Sequence, residues 1–124
     1  MKMLDSSALI ELMKGSEKGD KVKEIVKSER VYMSAISLAE VAVWLHKNNR
    51  EVNLLIEKIK KNAAIIELEN SLLVESGKLN VELRKKRKSI SLIDTIIYFS
   101  AVVNDLTLVT TDYDFHNLQN VEMY

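Results

Sequence analysis

Short apolar stretches typical of β-strands alternate with amphipathic stretches typical of α-helices along most of this 124-residue chain. The strand patterns lie at Lys2–Asp5, Val31–Ile36, Ala63–Leu68, Leu106–Thr110 and Val121–Met123. The stretches between the first four carry apolar residues at helical spacing, and a polar turn separates the last two. Strands separated by helices favour a parallel sheet, because a parallel pair needs a long crossover connection. The sequence therefore predicts an α/β fold.

The predicted helix boundaries rest mainly on capping residues. Ser6 and Ser7 are expected to begin a first helix that ends near Gly15, and Asp20 is expected to cap a second helix. Further helices are predicted from Ser37 to about His46, around Val52–Ile59, from Asn70–Ser71 towards Arg84, and from Ser91 to Val103. Gly77 lies inside one of them, where a glycine costs about 1 kcal/mol, so a bend or close packing can occur there.

Composition limits the class of protein to which the chain can belong. With 47% hydrophobic and 29% charged residues, it is expected to form a single globular domain over residues 1–124. The absence of cysteine excludes disulfides, thiolate zinc sites and a cysteine nucleophile. No apolar run approaches the roughly 18 residues of a membrane helix, and the charge at Asp5 comes too early for a secretory signal. These features predict a cytoplasmic protein.

Four carboxylates lie within or at the end of apolar stretches, whereas most other acids lie among lysines: Asp5, Glu40, Asp94 and Asp112. A carboxylate in apolar surroundings costs several kcal/mol unless it is paired or binds a metal. No lysine or arginine adjoins any of the four in sequence. Asp5 and Asp112 close predicted strands and Glu40 follows another, so three of the four are expected at the carboxyl edge of the sheet, where α/β proteins bind ligands.

Each of these acids also has a purely structural interpretation. Ser37–Glu40 and Ser91–Asp94 have the spacing of a capping box, Asp5 can cap the first helix, and Asp112 can form an Asx turn. Capping is compatible with metal binding, and it does not require apolar surroundings. Converging carboxylates repel one another unless a cation is present, and oxygen-only ligation suits Mg²⁺ or Mn²⁺. Phosphodiester hydrolysis is the leading reaction class for such a site.

Four segments that each contain one of these acids occur in the order typical of a known family. They are Met3–Ile10, Ser37–Val41, Ser91–Ile97 and Leu108–Phe115. In these segments the sequence resembles the PIN-domain nucleases and, among them, the small VapC-type ribonuclease toxins of toxin–antitoxin systems. The four segments together span nearly the whole chain.

The resemblance implies a three-layer α/β/α sandwich with a central, mainly parallel sheet of four to five strands. It implies a ribonuclease that hydrolyses RNA phosphodiester bonds with one or two Mg²⁺ or Mn²⁺ ions, a VapB-like antitoxin as partner, and a homodimer. By position, the catalytic and metal-binding residues are Asp5, Glu40, Asp94 and Asp112. The supporting residues are Ser7, Thr110 and Asp114.

The one dense basic run has two interpretations. It consists of Arg84, Lys85, Lys86, Arg87 and Lys88. It can be a solvated helix end, where cations complement the helix dipole, or it can contact RNA phosphates beside Asp94. His46 and His116 lack the spacing of a zinc motif and are expected to be structural or surface residues, while Trp44 is expected in the core.

Other functions remain open at this stage. One alternative is a PIN-type RNA-processing nuclease without an antitoxin. Another is a module that keeps the fold and binds RNA or protein without cleaving, although the intact acids argue against it. A phosphoacceptor receiver domain fits the order of the helices poorly.

Overall fold

The computed structural model describes residues 1–124 and contains five strands and six helices. The strands are β1 (Lys2–Leu4), β2 (Val31–Ser34), β3 (Ala63–Ile66), β4 (Thr107–Thr110) and β5 (Val121–Met123). The helices are α1 (Ser6–Lys14), α2 (Glu17–Ser28), α3 (Ala35–Lys47), α4 (Val52–Asn62), α5 (Asn70–Arg84) and α6 (Leu92–Val103). A 3₁₀ turn at Tyr113–Phe115 follows β4. No helix combines the length and the apolar character needed to cross a membrane.

The five strands form one sheet in the order β3-β2-β1-β4-β5, and every neighbouring pair is parallel. The chain builds outwards from β1 to β3 and then crosses to the other side of β1 to form β4. Right-handed crossovers place successive helices on opposite faces when the direction of strand addition reverses. The junction of β1 and β4 is therefore a topological switch point, and ligands bind beyond the carboxyl ends of the strands at such points.

Two apolar cores lie on opposite faces of the sheet, because successive strand residues point to opposite sides. Leu4 and Val109 belong to one core, which also contains residues of α1, α2, α3 and α4. Met3 and Leu108 belong to the other, which is built mainly with α6 and the fully buried Phe115, with residues of α5 packed against it. The α/β/α sandwich with a parallel sheet that the family resemblance implied is thus confirmed.

The second helix begins earlier than the capping pattern predicted. Ser16, not Asp20, is its N-cap, and the Ser16 hydroxyl oxygen accepts a hydrogen bond from the Gly19 N–H at 3.0 Å. The first turn of α2 is polar and contains a glycine, so it lacks the apolar spacing from which a helix is predicted. Gly19 is buried against α1, which makes this early turn part of the packed structure.

The predicted capping box at Ser37 and Glu40 is also wrong. Strand β2 ends at Ser34, which is the N-cap of α3 and accepts a hydrogen bond from the Ile36 N–H at 3.4 Å. Ser37 therefore lies inside the helix, fully buried, and its hydroxyl has no partner within the chain. A β-branched residue such as Ile36 extends the apparent strand, but the serine two positions earlier satisfies a free N–H and starts the helix.

Two expectations about α5 also need correction. Its N-cap is Glu69, and Asn70 is already the first helical residue. No close packing occurs at Gly77, because a Cβ added there meets no atom within 4 Å.

Candidate active site

The structure brings the predicted acids to the edge of the sheet beyond β1 and β4. Carboxylate oxygens of Asp94, Asp112 and Asp114 all lie within 4.8 Å of one another. Asp5 directly follows β1 and is only 3% exposed, and Glu40 is half-buried on α3. Both lie close enough to Asp94 and Asp112 for the negative charges to raise their pKa values. Asp114, predicted as a supporting residue, thus belongs to the tightest group.

Two hydroxyl groups orient the buried carboxylate of Asp5. Ser7 Oγ donates to Asp5 Oδ2 at 2.7 Å, and Thr110 Oγ1 donates to the same oxygen at 2.8 Å. Each hydroxyl group thus donates its only hydrogen to Asp5. The two hydroxyl oxygens also lie 3.1 Å apart, but neither has a hydrogen left to donate to the other. Ser7 also accepts from the Thr111 N–H, and Thr110 from the Asp112 N–H. The two predicted supporting hydroxyls therefore tie the end of β1 to the end of β4.

Glu40 is held from the first helix. Ser6 Oγ donates to Glu40 Oε1 at 2.8 Å across a separation of 34 residues. Ser6 is buried in the first turn of α1, whose N-cap position is occupied by Asp5. Asp5 itself makes no side-chain capping bond, so its capping interpretation is not supported. Sequence reasoning treated Ser6 only as a cap and missed its contact with Glu40.

The capping interpretations of Asp94 and Asp112 are correct. Asp94 Oδ2 accepts from the Ser91 N–H at 3.1 Å, and Ser91 Oγ accepts from the Asp94 N–H at 3.0 Å, which completes a capping box. Asp112 Oδ1 accepts from the Asp114 N–H at 2.9 Å, as in an Asx turn. These local bonds fix the direction of each carboxylate without using its second oxygen.

Asp114 is positioned by the segment between α5 and α6. Ser89 Oγ donates to Asp114 Oδ1 at 2.6 Å, and Arg87 Nη1 donates to the Asp114 carbonyl oxygen at 3.3 Å. The two contacts join residues that are 25 and 27 positions apart in the sequence, respectively. No sequence pattern indicates Ser89, since an isolated serine in a basic stretch carries no signal of its partner.

The five carboxylates share one feature: a single oxygen of each accepts hydrogen bonds from the protein. The engaged oxygens are Asp5 Oδ2, Glu40 Oε1, Asp94 Oδ2, Asp112 Oδ1 and Asp114 Oδ1. The second oxygen of each carboxylate has no donor within the chain. No lysine or arginine forms an ion pair with any of the five, since the ion pairs of the chain are Lys2–Glu122, Lys14–Glu11, Lys60–Glu57 and Lys85–Glu82. The site is therefore a set of oriented, unneutralised carboxylates.

The electrostatics of the site reflect this lack of cations. Burial raises the pKa of Asp5 above its usual range, the hydrogen bonds from Ser7 and Thr110 lower it in part, and the charges of Asp94 and Asp112 raise it again. Burial also raises the pKa values of Glu40 and Asp94, and hydrogen bonds from a serine lower each of them in part. A bound cation would offset both the cost of burying these charges and the smaller repulsion between them, and would lower these pKa values.

We expect the metal-free protein to become more stable to unfolding as the pH falls from 7 towards the ordinary pKa range of carboxylates. A raised pKa means that the folded state binds more protons than the unfolded chain in this interval, so the free energy of unfolding rises as protons are added. Urea denaturation in EDTA at several pH values measures this effect. Glu11 and Glu122, whose pKa values are lowered by hydrogen bonds, oppose it only at lower pH. A variant in which Asp5, Glu40 and Asp94 are replaced by the corresponding amides should not show this gain in stability. Equal stability of the wild type at all of these pH values would contradict the prediction.

The basic segment reaches the site at one residue. Arg87 is half-buried and bonded to the backbone of Asp114. Arg84 Nη2 donates to the Lys88 carbonyl, and Lys85 pairs with Glu82 at 3.1 Å, as expected of a solvated helix end. The remaining cations of the segment are exposed.

Trp44 differs in part from its predicted setting in the core, whereas His116 has a structural contact of the kind that was predicted. Trp44 is half-buried against the first core, and the Arg50 guanidinium lies 4.9 Å from its ring centroid. His116 is half-buried and stacks on Tyr113, with the ring centroids 4.0 Å apart and the planes inclined by 7°.

Fold and site together define an α/β protein with a cluster of carboxylates at the switch point of a parallel sheet. Residues 2–121 match the PIN domain family, and the chain belongs to that family. The resemblance predicted from the four acidic segments is thereby confirmed. Among curated proteins, no sequence matches the chain.

Several solved structures share the fold over nearly their full length. A toxin–antitoxin complex from Klebsiella pneumoniae is 24% identical, with 99% of this chain and 97% of that chain covered and a TM-score of 0.77. VapBC2 from Rickettsia felis, bound to a DNA fragment from its promoter, is 24% identical, with 99% and 98% covered and a TM-score of 0.75. VapC20 from Mycobacterium tuberculosis, a toxin that cleaves the sarcin–ricin loop, is 16% identical, with 93% and 92% covered and a TM-score of 0.76. These likenesses show that this chain shares the fold of those proteins.

Proposed function

We propose that this protein is a metal-dependent ribonuclease and the toxin of a VapBC-type toxin–antitoxin pair. One observation carries the proposal: five carboxylates are each held through one oxygen, leave the other oxygen free, and have no cationic partner. Such an arrangement is unfavourable in the metal-free protein and becomes favourable around a divalent cation. The shared fold of the VapBC toxins supports the same function.

The donor set fits a hard divalent cation. All candidate ligands are carboxylate oxygens, which suit Mg²⁺ or Mn²⁺ better than metals that prefer nitrogen or sulfur. Asp94, Asp112 and Asp114 would hold one ion, and the free oxygens of Asp5 and Glu40 allow a share in that ion or in a second one. When bound, such an ion stabilises charge on a phosphoryl group and activates water.

The side chains around the acids act through position. Ser7 and Thr110 keep the Asp5 carboxylate in one orientation, and Ser6 does the same for Glu40. The Ser91 N–H holds Asp94 so that its free oxygen keeps a constant direction. No side chain is required as a covalent nucleophile, since a water molecule can attack the phosphorus. The chain's contribution is thus an oriented ligand set that needs little rearrangement.

An RNA substrate is supported by the charge beside the acids. Arg87 lies next to Asp114, and Lys86 and Lys88 are exposed cations on the same segment. Phosphate contacts from such residues contribute affinity that does not depend on sequence and falls with added salt. We therefore assign the segment from Arg84 to Lys88 to binding of the RNA backbone.

A protein partner of antitoxin type is supported by a groove on the face formed by α1, α2 and α4. The groove has a volume of about 550 Å³. Its floor is apolar and includes Leu9, Leu12, Met13, Leu55 and Ile59. Its charged lining residues are all cationic: Lys23, Lys27, Arg50 and Lys58. This combination suits an amphipathic segment with acidic residues on one side, as a VapB-like antitoxin can supply.

A homodimer is supported by exposed apolar residues on α5. Val74 and Val81 are 73% and 63% exposed and lie two helical turns apart, on either side of the open position at Gly77. Apolar side chains aligned on one helix face commonly mark an interface between subunits. We propose that this face joins two copies of the chain.

We also propose that the protein acts in the cytoplasm.

The first test is cleavage of a mixed pool of structured RNAs by the purified protein in Mn²⁺ or Mg²⁺. We expect cleavage that stops in EDTA and falls about a hundredfold or more in Asp94→Asn, because the amide removes a ligand charge and keeps the helix cap. Asp20→Asn, an exposed site on α2, is the matched control. Full cleavage by Asp94→Asn would overturn the nuclease assignment.

The toxin role is tested separately in cells. Expression of the active chain should stop growth, and co-expression of an acidic antitoxin that binds the groove should restore it. Normal growth with an active nuclease would favour the RNA-processing alternative. RNA binding without cleavage under any condition would favour a non-catalytic module.

A further inference from the structure

An exposed aromatic pair lies within the acidic loop, and metal binding does not explain it. Tyr113 stands between Asp112 and Asp114 in the sequence and is 71% exposed. Its ring stacks on that of His116, with the centroids 4.0 Å apart and the planes inclined by 7°. Every other tyrosine, phenylalanine and tryptophan of the chain is buried or half-buried. The next aromatic residue, Phe115, is fully buried, so Phe115 rather than Tyr113 anchors this turn to the core.

The pair is held in place before any ligand binds. The His116 N–H and the ring nitrogen Nδ1 each lie 2.9 Å from the Tyr113 carbonyl oxygen. A carbonyl oxygen can only accept, so Nδ1 carries the proton and donates it, which fixes the imidazole orientation. The hydrogen bond from the Asp114 N–H to Asp112 fixes the start of the same turn. One face of the tyrosine ring is therefore covered by His116, and its high exposure leaves the other face open to solvent.

A fixed aromatic ring with one open face is the usual means of binding an unpaired nucleobase. Bases of single-stranded RNA stack on Tyr and His rings, and this contact tolerates any base because every base has a π-face. The two residues that flank Tyr113 supply carboxylate oxygens to the cluster proposed to hold the metal. Consecutive residues lie only about 3.8 Å apart at their Cα atoms, so the backbone of Tyr113 lies directly beside the residues of that cluster. Arg87, bonded to Asp114, adds a positive charge beside it.

We propose that Tyr113, supported by His116, stacks on an unpaired nucleobase of the RNA substrate next to the phosphate bound at the acids. The inference rests on the proposed ribonuclease function and adds a base subsite to it. A base on this ring must be out of a double helix, so the platform selects unpaired positions for cleavage. Tyr113 is a binding residue in this scheme, and His116 is a positioning residue that acts through Tyr113.

The first experiment compares Tyr113→Ala and Tyr113→Phe with the wild type. The substrate is an RNA pool in Mn²⁺, and kcat and KM are measured on one fragment that the wild type cleaves. We expect Tyr113→Ala to lower kcat/KM about tenfold or more, mainly through KM, because stacking on one base is lost. Tyr113→Phe keeps the ring and should retain most of the wild-type value. Leu54→Ala, at a residue 68% exposed on α4, is the control for loss of an exposed side chain and should be unchanged.

The second experiment measures binding without cleavage, in an Asp94→Asn background with Mg²⁺ present. The probes are single-stranded 12-nucleotide RNAs of mixed sequence, each with one abasic position that differs between probes. At one position, loss of the base should weaken binding to the chain with Tyr113 about tenfold and hardly affect the chain with Tyr113→Ala. His116→Ala should weaken binding to the intact RNA less than Tyr113→Ala does, because the tyrosine loses its support and keeps its ring.

The outcomes separate this inference from the proposed function. If the wild type cleaves RNA and Tyr113→Ala cleaves with the same kcat/KM, the base subsite is wrong and the nuclease assignment stands. If no sample cleaves but the abasic effect depends on Tyr113, the base subsite stands and the nuclease assignment fails. Equal sensitivity of both backgrounds to every abasic position would overturn the subsite. Thermal unfolding of each variant checks that the exposed substitution leaves the fold intact.

Discussion

Asp5→Asn is expected to lower RNA cleavage about a hundredfold or more and, at the same time, to make the metal-free protein more stable at pH 7. Asp5 is 3% exposed, and burial together with the charges of Asp94 and Asp112 raises the pKa of its carboxyl group. The asparagine oxygen can still accept the hydrogen bonds from Ser7 and Thr110. Its amide nitrogen then occupies the place of the free oxygen, where it cannot bind a cation. We expect a gain of about 1–2 kcal/mol in the free energy of unfolding.

Two measurements on the same samples check this prediction. Urea denaturation in EDTA gives the stability, and cleavage of the RNA pool in Mn²⁺ gives the activity. Asp20→Asn, at an exposed position on α2, should change neither. Adding Mn²⁺ should stabilise the wild type more than Asp5→Asn, since a ligand that binds the folded state raises its stability. Unchanged cleavage, or a loss of stability without metal, would contradict a buried, functional carboxylate at this position.

Gly19→Ala is expected to lower the free energy of unfolding by about 2–3 kcal/mol. A Cβ at this position comes within 3.0 Å of the Glu11 carbonyl group and the Leu12 Cα, which are backbone atoms of α1 and cannot turn aside as a side chain can. Helices α1 and α2 would have to separate. This shift would also affect the acids, because α1 carries the serines that hold Asp5 and Glu40. We therefore expect weaker metal binding as well as lower stability.

Gly77→Ala is the matched control, since it makes the same chemical change inside a helix. A Cβ at Gly77 meets no atom of its own chain within 4 Å, so within one subunit only the helical preference of alanine acts. The expected result is a gain of about 0.5–1 kcal/mol in the free energy of unfolding. Thermal or urea unfolding measures both variants, and equal effects of the two substitutions would refute the close helix contact at Gly19.

The fold was predictable because its signals are local and repeat along the chain. Alternating strand and helix patterns indicated a parallel sheet, and Asp5 and Asp112 marked the ends of the two strands that meet at the switch point. The errors lie at helix starts, where Ser16 and Ser34 replace the predicted caps Asp20 and Ser37. At such places a single hydrogen bond decides between a strand, a turn and a helix, and the apolar pattern does not report that bond.

The amino-acid sequence by itself determined the family, the order of the elements and the place of three of the four acids at the sheet edge, because each depends on local residue patterns. Only the tertiary structure decided which oxygen of each acid is engaged and which is free. The bond from Thr110 to Asp5 spans 105 residues, and that from Ser6 to Glu40 spans 34. The tertiary structure also brought Asp114 together with Asp94 and Asp112, and it left one face of Tyr113 exposed. These features depend on distances between side chains of different elements, and such distances exist only after the sheet has brought the strand ends together.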